Sequence, residues 1–227
     1  MFSFLYLTTD DGSYVPSVWG YTLTVVLILV LLVAASFVKT RISSDKRTVY
    51  VRRLAFSSIA VALAVITSMI RVLAMPMGGL VTLLSMLFIT IIGSWYGLSQ
   101  GIMCGVAYGL LQLFINPYII SIPQLFCDYI FAFGALGLSG LFFQRDNAVI
   151  KGYIVGILGR FFFSVLSGVI FFASYAPSDG ILSHPLLYSA AYNGIYIFAE
   201  GIITIIIISL PPVKKALSTV QALAAME

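Results

Sequence analysis

The sequence predicts an all-α integral membrane protein, and three observations carry that prediction. Of 227 residues, 61% are hydrophobic and only 9% are charged, where a soluble domain carries about a quarter charged. Mean hydropathy is +1.09. The charges are gathered between uncharged runs of roughly 20 residues, the length a helix needs to cross the hydrocarbon of a bilayer. No soluble fold of this size covers so much apolar surface with so few charges.

Seven runs are expected to span: roughly Ser17–Val38, Leu54–Leu73, Leu80–Gly93, Leu98–Ile115, Gln124–Phe143, Gly152–Ala173 and Leu186–Leu210. The first has acidic residues ahead of it, no basic n-region and no clear small-residue cleavage site, so it is expected to be a retained helix rather than a signal peptide. The second carries small residues four apart, Ser58 with Ala62 and Ala60 with Ala64, which let another helix approach closely. The third is short and bracketed by "MPMGG" and "GSWYG"; it is either tilted or does not cross the full bilayer. The fourth holds Gly97, Gly101, Gly105 and Gly109 at a strict four-residue repeat, the mark of a tightly packed helix face.

Basic residues set the expected orientation. Lys39, Arg41, Lys46, Arg47, Arg52 and Arg53 follow the first span, Arg145 and Lys151 lie between the fifth and sixth, and Lys214 and Lys215 follow the seventh. Seven crossings put all of them on one face, which the positive-inside rule makes cytoplasmic, with the N-terminus outside. The opposite loops, "MPMGG", "INPYIISIP" and "SYAPSDGILSHP", carry no lysine or arginine. The pI near 9.1 therefore reports topology and not nucleic-acid binding. The expected division is an N-terminal helix with a basic linker over 1–52, a membrane domain over 53–215 and a cytoplasmic tail over 216–227.

Chemistry is sought among polar groups that do not belong in lipid. Cys104 and Cys127 lack the spacing of a disulfide framework or zinc site and read as small buried hydrophobes. No metal or cofactor is expected. Arg160, Glu200 and Asp128 lie inside spans, where a charge costs several kcal/mol or more unless paired, hydrated or facing a cavity. Arg160 is about nine residues from the cytoplasmic end of its span and Glu200 about ten from its own, nearly the same depth at 1.5 Å per residue. A structural salt bridge between them is expected.

Asp128 sits about one turn below the outer loop, with no cation at matching depth. Either it is protonated and hydrogen-bonded, or it faces a wet pocket that awaits a cationic ligand. The second fits better, because Gln124 and Asp128 are four apart and share a helix face beneath the Tyr118 loop. At similar depth the sixth span offers Ser164, Ser167, Phe171, Phe172 and Tyr175, and the seventh offers Tyr188, Tyr192, Asn193 and Tyr196. Aromatic rings, an amide and a carboxylate around one cavity suit a flat, cationic, nitrogen-rich solute. An interfacial aromatic belt accounts for about half of the tyrosines. His184 reads as a solvated loop residue.

The ordered motifs "MPMGGLVTLLSMLF", "GLSQGIMCGVAYGLLQLFINPYI", "PQLFCDYIFAFGALGLSGLF", "GRFFFSVLSGVIFFASYAP" and "LYSAAYNGIY" resemble the thiamine-specific S component of energy-coupling factor transporters, over roughly Arg53 to Leu210. The resemblance implies a six-helix vitamin-binding bundle, here with one extra N-terminal transmembrane helix, and a pocket near the outer face roofed by the loop around Met75–Leu80. It places the pocket acid at Asp128 with Tyr129 beside it, a pocket tyrosine at Tyr118, and the tyrosine and asparagine of the last helix at Tyr188 and Asn193. It also implies a transmembrane coupling subunit and two cytoplasmic ATPases, docked partly through Ser58 and Ala62. That fits a chain with no GxxxxGK[ST] motif. Two departures from the pattern matter: Ser164 stands where a pocket histidine is usual, and Gly79 near where some members have a roof tryptophan; the sixth-helix aromatic is Phe172, and Asp128 stands in place of a longer Glu. Thiamine or a close relative is the implied solute.

Two other classes remain at this stage. A stand-alone secondary carrier would use the three intramembrane charges as a relay. An intramembrane enzyme is opposed by the lack of HExxH, by a lone loop histidine and by the lack of paired carboxylates in one span. No catalytic residue is expected.

Overall fold

The computed structural model describes residues 6–8, 14–17, 22, 44–75 and 78–225. Two short strands, β1 (Tyr6–Thr8) and β2 (Tyr14–Pro16), form an antiparallel hairpin. The expected first span, Ser17–Val38, lies outside the described residues apart from Ser17 and Thr22. Then follow α1 (Ser44–Ser68), β3 (Arg71–Ala74), β4 (Leu80–Thr82), α2 (Ser85–Tyr96), α3 (Leu98–Ile115), α4 (Ile122–Phe142), α5 (Ala148–Phe171), α6 (Pro185–Ser209) and α7 (Pro211–Ala225). Among the described residues, α1 (from Val49), α3, α4, α5 and α6 are long and apolar enough to cross a membrane.

The run expected as a third span divides in two. Leu80–Thr82 pairs antiparallel with Arg71–Ala74 as the hairpin β3–β4, which also ends α1 at Ser68, short of the expected Leu73. The remaining 12-residue helix α2 is only ~18 Å long, short of a ~30 Å hydrocarbon core. Hairpin and helix together traverse the bundle. Tyr96, at the far end of α2, lies under the Arg53 guanidinium (5.7 Å) and donates to the Ala224 carbonyl (3.2 Å). The expected tail over 216–227 is thus helical as far as Ala225, and α7 folds back onto the ends of α1 and α2.

α4 changes pitch along its length. Ser121 caps it by accepting from Gln124 N (3.3 Å), with Pro123 in the first turn. Phe126–Phe131 is π-helical, and Ala135–Phe142 is a 3₁₀ helix of eight residues, longer than the usual three or four. The glycines explain how that 3₁₀ stretch is held. Gly134, Gly137 and Gly140 recur every third residue, so they line up on a helix with three residues per turn. They face Gly105, Gly101 and Gly97 of the α3 segment, which recur every fourth. Three steps of ~2.0 Å and four of ~1.5 Å both advance ~6 Å, so the two stripes stay in register.

The backbones meet without side chains between them. A Cβ on Gly101 would lie 2.7 Å from Gly93 Cα, one on Gly105 would strike the Phe133 carbonyl, and one on Gly137 would strike Ile102 N. Gly109 continues the α3 repeat against the Tyr129 carbonyl, in the π segment. Gly97 differs from the other three: its φ of +92 closes the turn between α2 and α3, and a Cβ there would meet only Phe143 at 3.8 Å. α5 packs on the other side of α4, with Gly152 close to Ser139 and Gly156 close to Leu136.

Gly137→Ala should therefore destabilise the bundle by about 1–3 kcal/mol or more, because rigid backbone has to move. Gly194→Ala, where a Cβ finds ordinary contacts at 3.6–3.7 Å, should stay within about 0.5 kcal/mol. Thermal unfolding of the two variants in detergent compares them, and equal effects would contradict the packing described.

Candidate functional site

At the end of the bundle where α1 stops, a cavity of about 140 Å³ lies between the β3–β4 hairpin and α3–α6. A single water needs roughly 10–15 Å³ of such space, so a multi-atom solute fits. Of the candidate positions, these line it: Gly79 in the hairpin, Tyr118 in the α3–α4 loop, Gln124, Asp128 and Tyr129 on α4, Ser164 and Phe172 on or just after α5, and Tyr188, Tyr192, Asn193 and Tyr196 on α6; Ser167, Phe171 and Tyr175 do not.

The α4 corner is held by a closed set of hydrogen bonds. Tyr129 Oη donates to the Asn116 carbonyl (2.9 Å) and accepts from Tyr118 N (2.8 Å), so its hydroxyl is spent on shaping the loop. Gln124 accepts from Ile120 N (3.2 Å) and donates to the Tyr118 carbonyl (3.1 Å) and to Asp128 Oδ2 (2.5 Å). The π turn carries Asp128 at this point, and π turns are commonly found at functional sites. Ser167, a fully buried hydroxyl on α5 with no hydrogen bond of its own, lies close to the carboxylate. Asp128 thus meets the Gln124 amide, has the Ser167 hydroxyl close by, and shares the cavity lining with Arg160.

The α6 wall is more self-contained. Asn193 Nδ2 donates to the carbonyls of Ser189 (2.9 Å) and Ser164 (3.3 Å), and its Oδ1 accepts from Tyr196 Oη (2.7 Å). Ser189 Oγ donates in turn to the Val165 carbonyl (2.9 Å). Rings enclose the space: Tyr118 stacks with Phe172 (centroids 5.9 Å apart) and Tyr188 with Tyr192 (6.3 Å). Gly79 has a reason to lack a side chain. Its N–H donates to Tyr192 Oη (3.0 Å), and a Cβ would sit 2.6 Å from that oxygen, leaving no room for an indole.

The expected Arg160–Glu200 salt bridge is not formed. Glu200, 1% exposed, accepts from Thr82 N (3.3 Å), Thr82 Oγ1 (2.7 Å), Ser85 Oγ (2.9 Å) and Met86 N (3.1 Å). It caps α2 from a distance: the residue before that helix is Leu84, left-handed at φ 63 and without a capping side chain, and the carboxylate suits the positive helix end. Arg160 instead lines the cavity, with its guanidinium 4.4 Å from the Phe133 ring centroid and 5.9 Å from that of Tyr196. Equal depth along two helices does not fix which way each side chain turns.

Sequence reasoning missed Tyr108, Gln112 and Ser68, which also line the cavity. Gln112 Nε2 donates to Ser68 Oγ (2.7 Å), joining α3 to the end of α1. The usable signal was their spacing: Cys104, Tyr108 and Gln112 form a second four-residue stripe beside the glycines. Ser58 and Ala62 are far from the cavity and exposed on α1, whereas Ala60 and Ala64 are buried against the bundle.

The model of the family described as thiamine transporter protein (Thia_YuaJ) matches residues 54–220. The chain belongs to the thiamine transporter protein family. It is 33% identical over 165 residues to the thiamine transporter ThiT of Bacillus subtilis, covering 66% of this chain and 83% of that protein. It is 24% identical over 129 residues to the thiamine transporter ThiT of Lacticaseibacillus paracasei, covering 49% and 63%. A solved structure of ThiT from Listeria monocytogenes shares the fold, with a TM-score of 0.54, 22% identity, and 74% of this chain and 97% of that one covered. This member of the thiamine transporter family is a multi-pass membrane protein and not an enzyme.

Proposed function

We propose that the chain is the membrane-embedded binding subunit for thiamine in an ATP-driven energy-coupling factor importer, with its cavity open toward the outer face. One observation carries the choice of solute class. Asp128 is turned to a cavity walled by stacked aromatic rings, where it meets the Gln124 amide, with the Ser167 hydroxyl close by and Arg160 on the same lining. A cation with flat rings satisfies both features at once, through charge pairing and face contact. Ser164 Oγ, in the position of the missing imidazole, leaves a small polar contact in its place.

The secondary-carrier reading loses its relay. Glu200 is saturated by four donors and Arg160 is seated on rings, so among the described residues no chain of exchangeable carboxylates links the cavity to the other end. Transport then depends on partners, a transmembrane coupling subunit and two ATPases. The exposed Ser58–Ala62 face of α1 supports that reading, because its small side chains admit a partner helix at close range. Orientation follows the loop charges, with the basic α1 start and α7 inside and the N-terminus outside.

Two measurements test this. Asp128→Asn keeps shape and removes charge. It should weaken thiamine binding by about 2–5 kcal/mol, while Tyr188→Phe, which removes one neutral hydroxyl, should cost about 0.5–1.5 kcal/mol. Calorimetry decides, and equal small losses would remove Asp128 as the counter-ion. Ala62→Leu, far from the cavity, should leave thiamine binding intact in detergent and abolish ATP-driven uptake in cells. Normal uptake would place the docking face elsewhere.

A further inference from the structure

We infer that Glu200 is a positioning residue for the cavity: without touching the solute, it clamps the hairpin roof and the start of α2 to the helix that forms one cavity wall. The strand β4 is pinned to α6 at both of its ends. At one end Gly79 N donates to Tyr192 Oη (3.0 Å). At the other, Thr82 gives Glu200 both its N–H (3.3 Å) and its hydroxyl (2.7 Å). Tyr192 and Glu200 are eight residues apart, two turns along one face of α6. The same helix carries Tyr188, Asn193 and Tyr196, so the roof strand and the aromatic wall are tied into one body.

The clamp reaches the cavity surface directly. Thr82 and Ser85, both held by Glu200, line the cavity, while Glu200 lies behind them. Hydrogen bonds to a buried carboxylate are the strong kind, and Glu200 accepts four of them from protein donors. The two carboxylate oxygens each accept from one backbone N–H, Oε2 from Thr82 and Oε1 from Met86. That symmetry makes glutamine a sharp probe. Whichever way the amide is turned, its NH2 faces a backbone N–H that cannot accept, so Glu200→Gln breaks one of the two anchors with almost no change in volume.

The role of the roof in solute release rests on the thiamine reading, so the test has an arm that needs no solute. In the full chain with Cys104→Ala and Cys127→Ala, spin labels are placed at Leu73→Cys on the hairpin and Leu187→Cys at the start of α6, both about half exposed. Pulsed electron resonance without solute should give one narrow distance for the parent protein. The distribution should be broadened or split by Glu200→Gln and shifted in the same direction, less strongly, by Thr82→Val. Stopped-flow measurement should then show thiamine leaving Glu200→Gln roughly tenfold faster, as expected from one lost hydrogen bond to a charged group, with the association rate changed much less. An unchanged distance distribution in either folded variant overturns the clamp; Thr82→Val serves alone if Glu200→Gln does not fold. Broadening with unchanged thiamine kinetics overturns the positioning role and leaves Glu200 a purely structural group. A narrow distance in a parent protein that never binds thiamine, broadened by Glu200→Gln, overturns the choice of solute and leaves the clamp standing.

Discussion

A carboxylate carried into a bilayer has to find donors or a cation, and Glu200, buried, and Asp128, partly buried, meet that demand in opposite ways. Glu200 is answered in full from within, by two hydroxyls and two backbone N–H groups. Asp128 is answered in part, by the Gln124 amide with Ser167 and Arg160 nearby, and lines an open cavity. An isolated buried charge is too costly to keep; the first arrangement reads as architecture, and the second suits the positive solute proposed for the cavity. Arg160 meets the same demand with the other sign, by settling on the Phe133 and Tyr196 rings.

Placing Asp128 at the cavity depends on how closely α3 and α4 can approach. The stripe of glycines every fourth residue on α3 meets a stripe every third on the 3₁₀ part of α4, and both advance by about 6 Å per step. Backbone contact therefore runs continuously from Gly97 to Gly105 on one side and from Gly140 to Gly134 on the other. Above this seam, Gly109 presses on the Tyr129 carbonyl in the π turn that presents Asp128. Local pitch, glycine spacing and the position of the carboxylate are thus one problem with one solution.

Much of this was legible in the residues. The span Leu98–Ile115 has the expected bounds, and Gln124, Asp128, Ser164, Tyr188 and Asn193 meet because polar groups in an apolar chain have few places to go; Gly79 was legible only through the family resemblance. The run "LVTLLSMLFITIIG" was not legible as a strand and a short helix, since a continuous apolar stretch has no period to tell them apart. That error hid the donors of Glu200: Thr82, Ser85 and Met86 sit in the misassigned stretch, so a salt bridge to Arg160 was the partner that depth alone offered. The period of three in "GALGLSG" was present in the sequence, but it has meaning only once the helix is known to be 3₁₀. The C-terminal helix opens on Pro211 and Pro212, a start signal the sequence did offer, but its packing on Tyr96 is not legible from the residues.

The most direct test of the account is an experimental structure of the protein with thiamine bound. The account predicts the solute in the cavity between the Tyr118–Phe172 and Tyr188–Tyr192 ring pairs, with its amino or cationic ring at hydrogen-bonding or contact distance, roughly 2.7–4 Å, from an Asp128 oxygen. Thr82, Ser85 and Met86 should still be gathered on Glu200. Thiamine bound outside this cavity, or bound within it with its charge turned away from Asp128, would contradict the account.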